Sequence, residues 1–277
     1  MKSSELKQID TEKRNKKTIN IDQATSLGIV KLINNEDKKV AKAIKTQQQK
    51  IAKGIDLIVK AIRNDGRLIY IGAGTSGRLG VLDASEMPPT YNVDSKLVIG
   101  LIAGGQIALT SAVENAEDSK EQAIIDLKKI KFNEKDVLVG ISASGRTPYV
   151  VSALEYANEV NNNKTISLST VRKSAIGAIA TISIDVPIGA EVITGSTRMK
   201  SGSAQKMVLN MLSTGTMIKL GKVYQNLMID VKPANEKLKS RAVSIVSEIC
   251  QLNESESIIL LEKNEYNVRK AIEATKK

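Results

Sequence analysis

Leu68-Ile-Tyr-Ile71 is an apolar, β-leaning run that ends at Gly72, passes through small residues to Gly77 and resumes as a helical pattern of Leu79, Val81 and Leu82. A strand that opens through a glycine-serine loop onto a helix start leaves few folds available. It presents backbone N–H groups and the positive end of a helix dipole to an anion. Gly74, Thr75 and Ser76 are the candidate ligands of that anion. The glycines also match G-x-G-x-x-G, the dinucleotide-binding pattern. That fold wants an acidic residue ending the second strand, about 20 residues on, to hold a ribose. Asp94 has the distance but precedes the next apolar run, Lys96 to Ile102, instead of ending it. The nicotinamide reading is therefore disfavoured, and a plain tight turn is the remaining bland alternative.

A second copy of the design tips the balance. Asp136-Val-Leu-Val-Gly-Ile141 is another buried-strand run, followed by Ser142-Ala-Ser-Gly-Arg-Thr-Pro-Tyr149 and a helical pattern from Val150. Pro148 suits the first turn of a helix, where its missing N–H costs nothing. Ser142, Ser144, Gly145 and Thr147 are then placed at a helix start, where hydroxyl and backbone donors meet a phosphate naturally. Neither loop carries the P-loop ending Gly-Lys-Ser/Thr, so the pair reads as a sugar-phosphate cradle and not a nucleotide site.

From about 55 to 220 apolar runs alternate with helical stretches. Strands are expected at 67–72, 96–102, 136–141, 164–168 and 181–186, and helices at 77–86, 106–129, 148–160, 172–179 and 202–220. The alternation predicts an α/β fold, a three-layer αβα sandwich on a five-stranded parallel sheet. With the order 2-1-3-4-5 the switch point falls between the first and third strands, the two that lead into the glycine-serine loops. Three segments follow: an N-terminal helical segment 1–54, a phosphosugar-binding domain 55–220 and a C-terminal helical segment 221–277. Residues 1 to about 18 are charged and expected to be loose. Asp22 to about Ile62 reads as helices with a break at Asn35-Glu-Asp37, their apolar stripes serving core or subunit interface.

Gly189 to Lys206 is small, polar and basic and precedes the last strong helix of the domain. Ser196 and Lys200, with Thr197 and Arg198, are candidates to complete the anion pocket. The alternative is a helix cap with solvated basic residues.

Composition excludes much of the usual chemistry. There is no histidine and one cysteine, Cys250. No Ser-His-Asp triad, histidine base or ordinary histidine-containing zinc site is available, and no intramolecular disulfide. No metal and no cofactor are expected, and acids and bases must come from Glu, Asp, Lys or Tyr. The net charge of +11 reads first as a basic surface composition and only secondarily as a leaning towards phosphorylated substrates, and aromatics at 3% leave stacking platforms for nucleic acid poorly supplied. The polar N-terminus lacks a signal-peptide apolar region, and no run approaches membrane-spanning length. A cytoplasmic protein with no membrane and no nucleic-acid partner is expected. Glu86, stopped by Met87-Pro-Pro89, and Glu114, Glu117 and Asp118 are the carboxylates nearest the loops in sequence. By spacing alone each reads more readily as a solvated surface group than as a catalytic one.

Ile71-Gly-Ala-Gly-Thr-Ser-Gly-Arg-Leu-Gly80, Asp83-Ala-Ser-Glu-Met-Pro-Pro-Thr-Tyr91, Gly140-Ile-Ser-Ala-Ser-Gly-Arg-Thr-Pro-Tyr149 and Glu191-Val-Ile-Thr-Gly-Ser-Thr-Arg-Met-Lys200 are long, specific motifs. Together, over about residues 20 to 250, the chain closely resembles the N-acetylmuramic acid 6-phosphate etherases of the sugar isomerase (SIS) superfamily. The resemblance implies a carbon–oxygen lyase that cleaves the D-lactyl ether of N-acetylmuramate 6-phosphate, giving N-acetylglucosamine 6-phosphate and D-lactate in cell-wall recycling. It implies Glu86 at the proton-donor position, Glu117 at the second active-site acid, and a homodimer whose site borrows residues across the interface. Asn115 stands where glycine is common. The C2 proton of the open-chain sugar is acidified by the aldehyde, so a carboxylate can remove it while a second protonates the departing oxygen. Glu86 as acid and Glu117 as base is the favoured assignment, with the swap open. The competing expectations are an aldose-ketose phosphosugar isomerase and a non-catalytic phosphosugar-sensing regulator.

Overall fold

In the computed structural model, which describes residues 10–230 and 235–275, the strand–loop–helix stretch forms as expected. Strand β1 (Leu68–Gly72) runs into a helix beginning at Gly74. Four further strands, β2 (Val98–Ile102), β3 (Val137–Ile141), β4 (Thr165–Ser169) and β5 (Ile182–Asp185), complete one parallel sheet in the order β2-β1-β3-β4-β5. Every residue of β1, β3 and β4 is buried, as helices on both faces of a parallel sheet require. In register, Gly72 lies opposite both Ile102 and Ile141, so β2, β1 and β3 end level with one another.

The described residues divide into two compact units, 10–85 with 96–213 and 86–95 with 214–275. In the first, helices α1 (Ser26–Lys45), α2 (Gln48–Ile62) and α3 (Gly74–Ser85) precede β2 in the chain. The second unit opens with the short α4 (Met87–Tyr91). Back in the first unit come α5 (Lys120–Lys129), α6 (Pro148–Asn161), α7 (Ala175–Ile179) and α8 (Lys200–Lys219), of which only the last turns from Thr214 count with the second unit. One sheet face carries Ile69, Ile71 and Leu138 against Leu127 of α5 and Val150, Ala153 and Leu154 of α6. The other face takes α2, α3 and α8: a Cβ on Gly54 of α2 would touch both Ile166 of β4 and Leu212 of α8. Helix α3 lies unusually close to the strand ends. A Cβ on Gly77 would stand 2.6 Å from Ile102 Cγ1 and 2.7 Å from the Gly72 carbonyl oxygen, so only glycine fits. That glycine of the G-x-G-x-x-G match thus serves helix-to-sheet packing.

The second unit packs α9 (Glu236–Cys250), α10 (Glu254–Lys263) and α11 (Val268–Ala274) around Ala242, Val246, Leu261 and Ala271. Asparagines start all three helices: the side chains of Asn235, Asn253 and Asn267 each accept from a first-turn N–H. Arg269 adds a two-pronged contact to Asp230 at 2.8 and 3.0 Å.

Three sequence expectations are corrected. Helix α1 passes unbroken through Asn35-Glu-Asp37, and the break falls at Thr46-Gln47, because Glu36 faces inward to a partner on α8. The single helix expected over 106–129 is two 3₁₀ turns, Gly105–Leu109 and Ala116–Asp118, followed by α5. Asn115 at φ 60° turns the chain there. Asparagine tolerates that left-handed conformation better than most residues, and glycine adopts it freely. Residues 10–18 are also held: Thr11 and Thr18 are buried, Thr18 Oγ1 donates to the Val192 carbonyl at 2.8 Å, and the Gly195 N–H donates to Thr11. Residues 1–9 lie outside the described residues.

Candidate active site

The switch point lies where the topology puts it. β1 and β3 are neighbours, and their loops leave the same edge of the sheet side by side. After β1, Gly74 takes φ 53° and the first helical bond of the turn runs from the Gly77 N–H to the Ala73 carbonyl. The N–H groups of Gly74, Thr75 and Ser76 therefore form the open, positive end of α3. The Ser76 hydroxyl points inward and donates to Gln205 Oε1 of α8 at 3.0 Å, so the loop offers its backbone more readily than that side chain.

After β3, Ser142 is the hub. Its hydroxyl shares hydrogen bonds with Thr147 Oγ1 at 2.8 Å and Ser144 Oγ at 3.4 Å, and accepts the Gly145 N–H at 3.0 Å. The Arg146 N–H reaches Ser144 Oγ at 3.4 Å. Gly145 sits at φ 67°, and a Cβ there would stand 2.3 Å from Ser174 Cβ. Pro148 opens α6, and Thr147 just before it does not cap the helix with its side chain, being turned to Ser142 instead. The four predicted residues of this loop thus form one hydroxyl-lined turn at a helix start.

The third element behaves differently. Lys200 is 1% exposed, and its ammonium donates to Glu36 Oε2 at 2.8 Å and to the carbonyls of Ala190 and Ile188 at 2.6 and 3.2 Å. The start of α8 is closed by Glu191, whose carboxylate accepts the Lys200 and Ser201 N–H groups and the Ser201 hydroxyl. The expectation that Lys200 meets the substrate's phosphate is corrected: its charge is fully engaged inside the fold. Ser196 is half-buried in the turn before α8, where its carbonyl accepts the Met199 N–H.

Glu117 is exposed on the 3₁₀ turn that follows Asn115. Its neighbours Ala116 and Ser119 border a cavity of about 410 Å³ shared with Gly104, Gly105 and Asp126. Arg78 of α3 donates to the carbonyls of Leu109 and Ser111, tying that loop to the helix that starts at the first cradle. Glu86, also exposed, is the first residue of the second unit and the N-cap of α4, with Pro88 and Pro89 in the turn it begins.

Three buried polar groups escaped the sequence reading. Asp83 accepts from Tyr70 Oη at 2.9 Å, Asn210 Nδ2 at 2.7 Å and Ser213 Oγ at 3.1 Å. Burial pushes its carboxyl up against those hydrogen bonds, and burial beside Asp83 drives Tyr70 well above the ordinary phenol. The signal was available, since Asp83 is the one acid in the twelve-residue α3. Glu36 is also buried. Desolvation alone would raise it, but hydrogen bonds from Lys200 and Lys39 hold its carboxyl at about 2. Gln205 is fully buried, and its Nε2 has no hydrogen-bond partner among the described residues.

Among the described residues no cluster of metal-ligating side chains is present, and no helix is long and apolar enough to cross a membrane.

Residues 50–158 match the family described as Glucokinase regulatory protein N-terminal SIS domain, and residues 108–215 match the SIS domain. The chain is 55% identical over 267 residues to an N-acetylmuramic acid 6-phosphate etherase of Lactobacillus johnsonii, covering 96% of this chain and 89% of that one. It is 54% identical to one from Clostridium beijerinckii, over 98% of this chain and 89% of the relative. A third, from Actinobacillus pleuropneumoniae, is 52% identical over 96% and 88%. Among solved structures, phosphoheptose isomerase of Neisseria gonorrhoeae superposes with a TM-score of 0.52 at 21% identity, covering 69% of this chain and 98% of its own. A Vibrio vulnificus NanR protein complexed with ManNAc-6P gives 0.52 at 13% identity, over 73% and 67%. These two likenesses concern the fold alone.

Proposed function

The chain belongs to the N-acetylmuramic acid 6-phosphate etherase family, and on that premise we propose how its residues break the D-lactyl ether of N-acetylmuramate 6-phosphate. As an etherase it is a carbon–oxygen lyase. The observation that carries the reading is the side-by-side exit of two donor-rich loops from β1 and β3, with Gly72 paired to Ile141. A phosphate monoester is the group that such a pair of turns fits. The open end of α3 supplies backbone N–H groups and partial positive charge, and Ser142, Ser144 and Thr147 supply hydroxyls.

The reaction needs no redox partner. With the sugar in its open-chain form, the C2 proton is acidic because the carbanion left behind is conjugated with the C1 aldehyde. Glu117 takes that proton. The electron pair forms the C2–C3 double bond as the C3–O bond breaks, and the lactyl oxygen leaves with a proton from Glu86. Water then adds across the double bond, its hydroxyl to C3 and a proton to C2. The products are D-lactate and N-acetylglucosamine 6-phosphate. Each proton transfer by a positioned carboxyl is worth about 10²–10⁴ in rate. The chain has no histidine, so carboxyls are the natural carriers.

The working form is a homodimer in the cytoplasm. The exposed Leu27 and Val30 on α1, 64% and 61% accessible in a single chain, support the first statement. A chain with one cysteine suits a reducing compartment. The test is release of D-lactate from N-acetylmuramate 6-phosphate by the purified protein. A ketose product without lactate would make it an isomerase, and tight binding without turnover a sensor.

A further inference from the structure

Helix α3 begins beneath the first phosphate turn, and what lies under that turn is Gln205. A Cβ on Gly202, one turn earlier on α8, would touch Thr75 Cγ2 at 3.4 Å, so the first turns of the two helices pack together. Gln205 reaches from there to Ser76, accepting its hydroxyl proton at 3.0 Å. Its Nε2, with no exposed surface, has no partner among the described residues.

The donor count makes the point. A serine hydroxyl carries one donor hydrogen and a glutamine amide two, and the bond between Ser76 and Gln205 uses one of the three. Turning the amide by half a turn exchanges which atom faces Ser76, but two donor hydrogens remain over in either orientation. Buried donors left without an acceptor are rare in native proteins. Here they sit under the N-terminal turn of a twelve-residue helix, at the point where backbone N–H groups and the helix dipole already favour an anion.

We propose that Gln205 is a substrate-binding residue: its carboxamide, held in place by the Ser76 hydroxyl, donates from Nε2 to a phosphate oxygen of the sugar phosphate seated in the turn, directly or through one bridging water. This rests on the etherase reading above. It adds a neutral donor from α8 to a cradle otherwise built from the β1 and β3 loops. It also gives α8 a part in binding that Lys200, closed off by Glu36, does not play.

Gln205→Met keeps the length of the side chain and removes its donors. The expected result is a KM for N-acetylmuramate 6-phosphate raised about tenfold, the loss of one hydrogen bond to a charged group. The turnover number should stay within about twofold. Competitive inhibition by inorganic phosphate, the probe for the phosphate contact, should weaken by the same factor as KM rises. A folded Gln205→Met protein with unchanged KM and unchanged phosphate inhibition overturns the proposal. So does a KM that rises while phosphate inhibition does not, since the contact would then be elsewhere on the sugar. If Gln205→Met fails to fold, Gln205→Asn withdraws the amide by one methylene and must show the same paired shift. Failure of the etherase reading is seen separately, as a wild-type protein that releases no D-lactate.

Discussion

Lys200 Nζ lies 2.8 Å from Glu36 Oε2, and both side chains are almost wholly withdrawn from solvent, at 1% and 4% exposure. The pair joins α1 to the start of α8, and the same ammonium holds the carbonyls of Ile188 and Ala190. Removing one member of a buried pair strands the other, at a cost of about 3–5 kcal/mol. Lys200→Met should therefore lower the thermal midpoint sharply. In whatever fraction remains folded, inhibition by inorganic phosphate should be unchanged, because the Lys200 ammonium is already engaged by Glu36 and two carbonyls. A stable Lys200→Met protein that has lost phosphate affinity would return the lysine to the binding site.

The same pair sets an acid limit. Glu36 titrates at about 2 in the fold against an ordinary value of 4.5, its folded value being the lower. The stabilisation is therefore complete above 4.5 and is lost as pH falls through the folded value. Urea midpoints measured between pH 6 and about 2 should decline across that window. Glu36→Gln should show a lower midpoint at pH 6 and a shallower decline, the two proteins converging at the acid end. Parallel curves would mean that other carboxyls set the acid limit.

Gly145 tests the second cradle. At φ 67°, with Ser174 Cβ 2.3 Å from where a Cβ would stand, Gly145→Ala must move the turn that carries Ser142, Ser144 and Thr147. Strain of this kind costs about 1–3 kcal/mol. The expected outcome is a modest fall in thermal stability with a KM raised by an order of magnitude or more. Unchanged KM would show that the turn is not where the phosphate sits. Ser142→Ala, which removes the hub hydroxyl without backbone strain, should reproduce the KM effect and spare most of the stability.

Much of this frame was legible before any coordinates. Strands β1, β3 and β4 are buried on both faces, so each is written as an unbroken apolar or small-residue run, and their alternation with helices points to a parallel sheet. The two glycine-serine turns at the ends of β1 and β3 were legible because glycine and small hydroxyl residues packed into a few positions leave a dense local signature. What stayed hidden depends on partners far apart in sequence. Asn35-Glu-Asp37 reads as a polar break, yet Glu36 meets a lysine 164 residues away. Lys200 reads as a phosphate-binding cation for the same reason. Gln205 sits in mid-helix without any pattern around it, and only its position under Ser76 gives it meaning.

The proposed division of the chemistry between the two glutamates can be read from a single proton. A base that removes the C2 proton returns it many times when the leaving group cannot depart, and in heavy water each return places deuterium at C2. If Glu117 is the base and Glu86 the acid, Glu86→Gln should stop D-lactate release while C2 deuterium still accumulates in recovered substrate. Glu117→Gln should stop both. Each substitution should lower turnover by about 10²–10⁴, and the double variant should lose far less than the product of the two losses, since residues that act as a unit are not additive. Exchange that survives in Glu117→Gln and vanishes in Glu86→Gln would reverse the roles. Near-normal lactate release in either variant would remove that glutamate from the reaction.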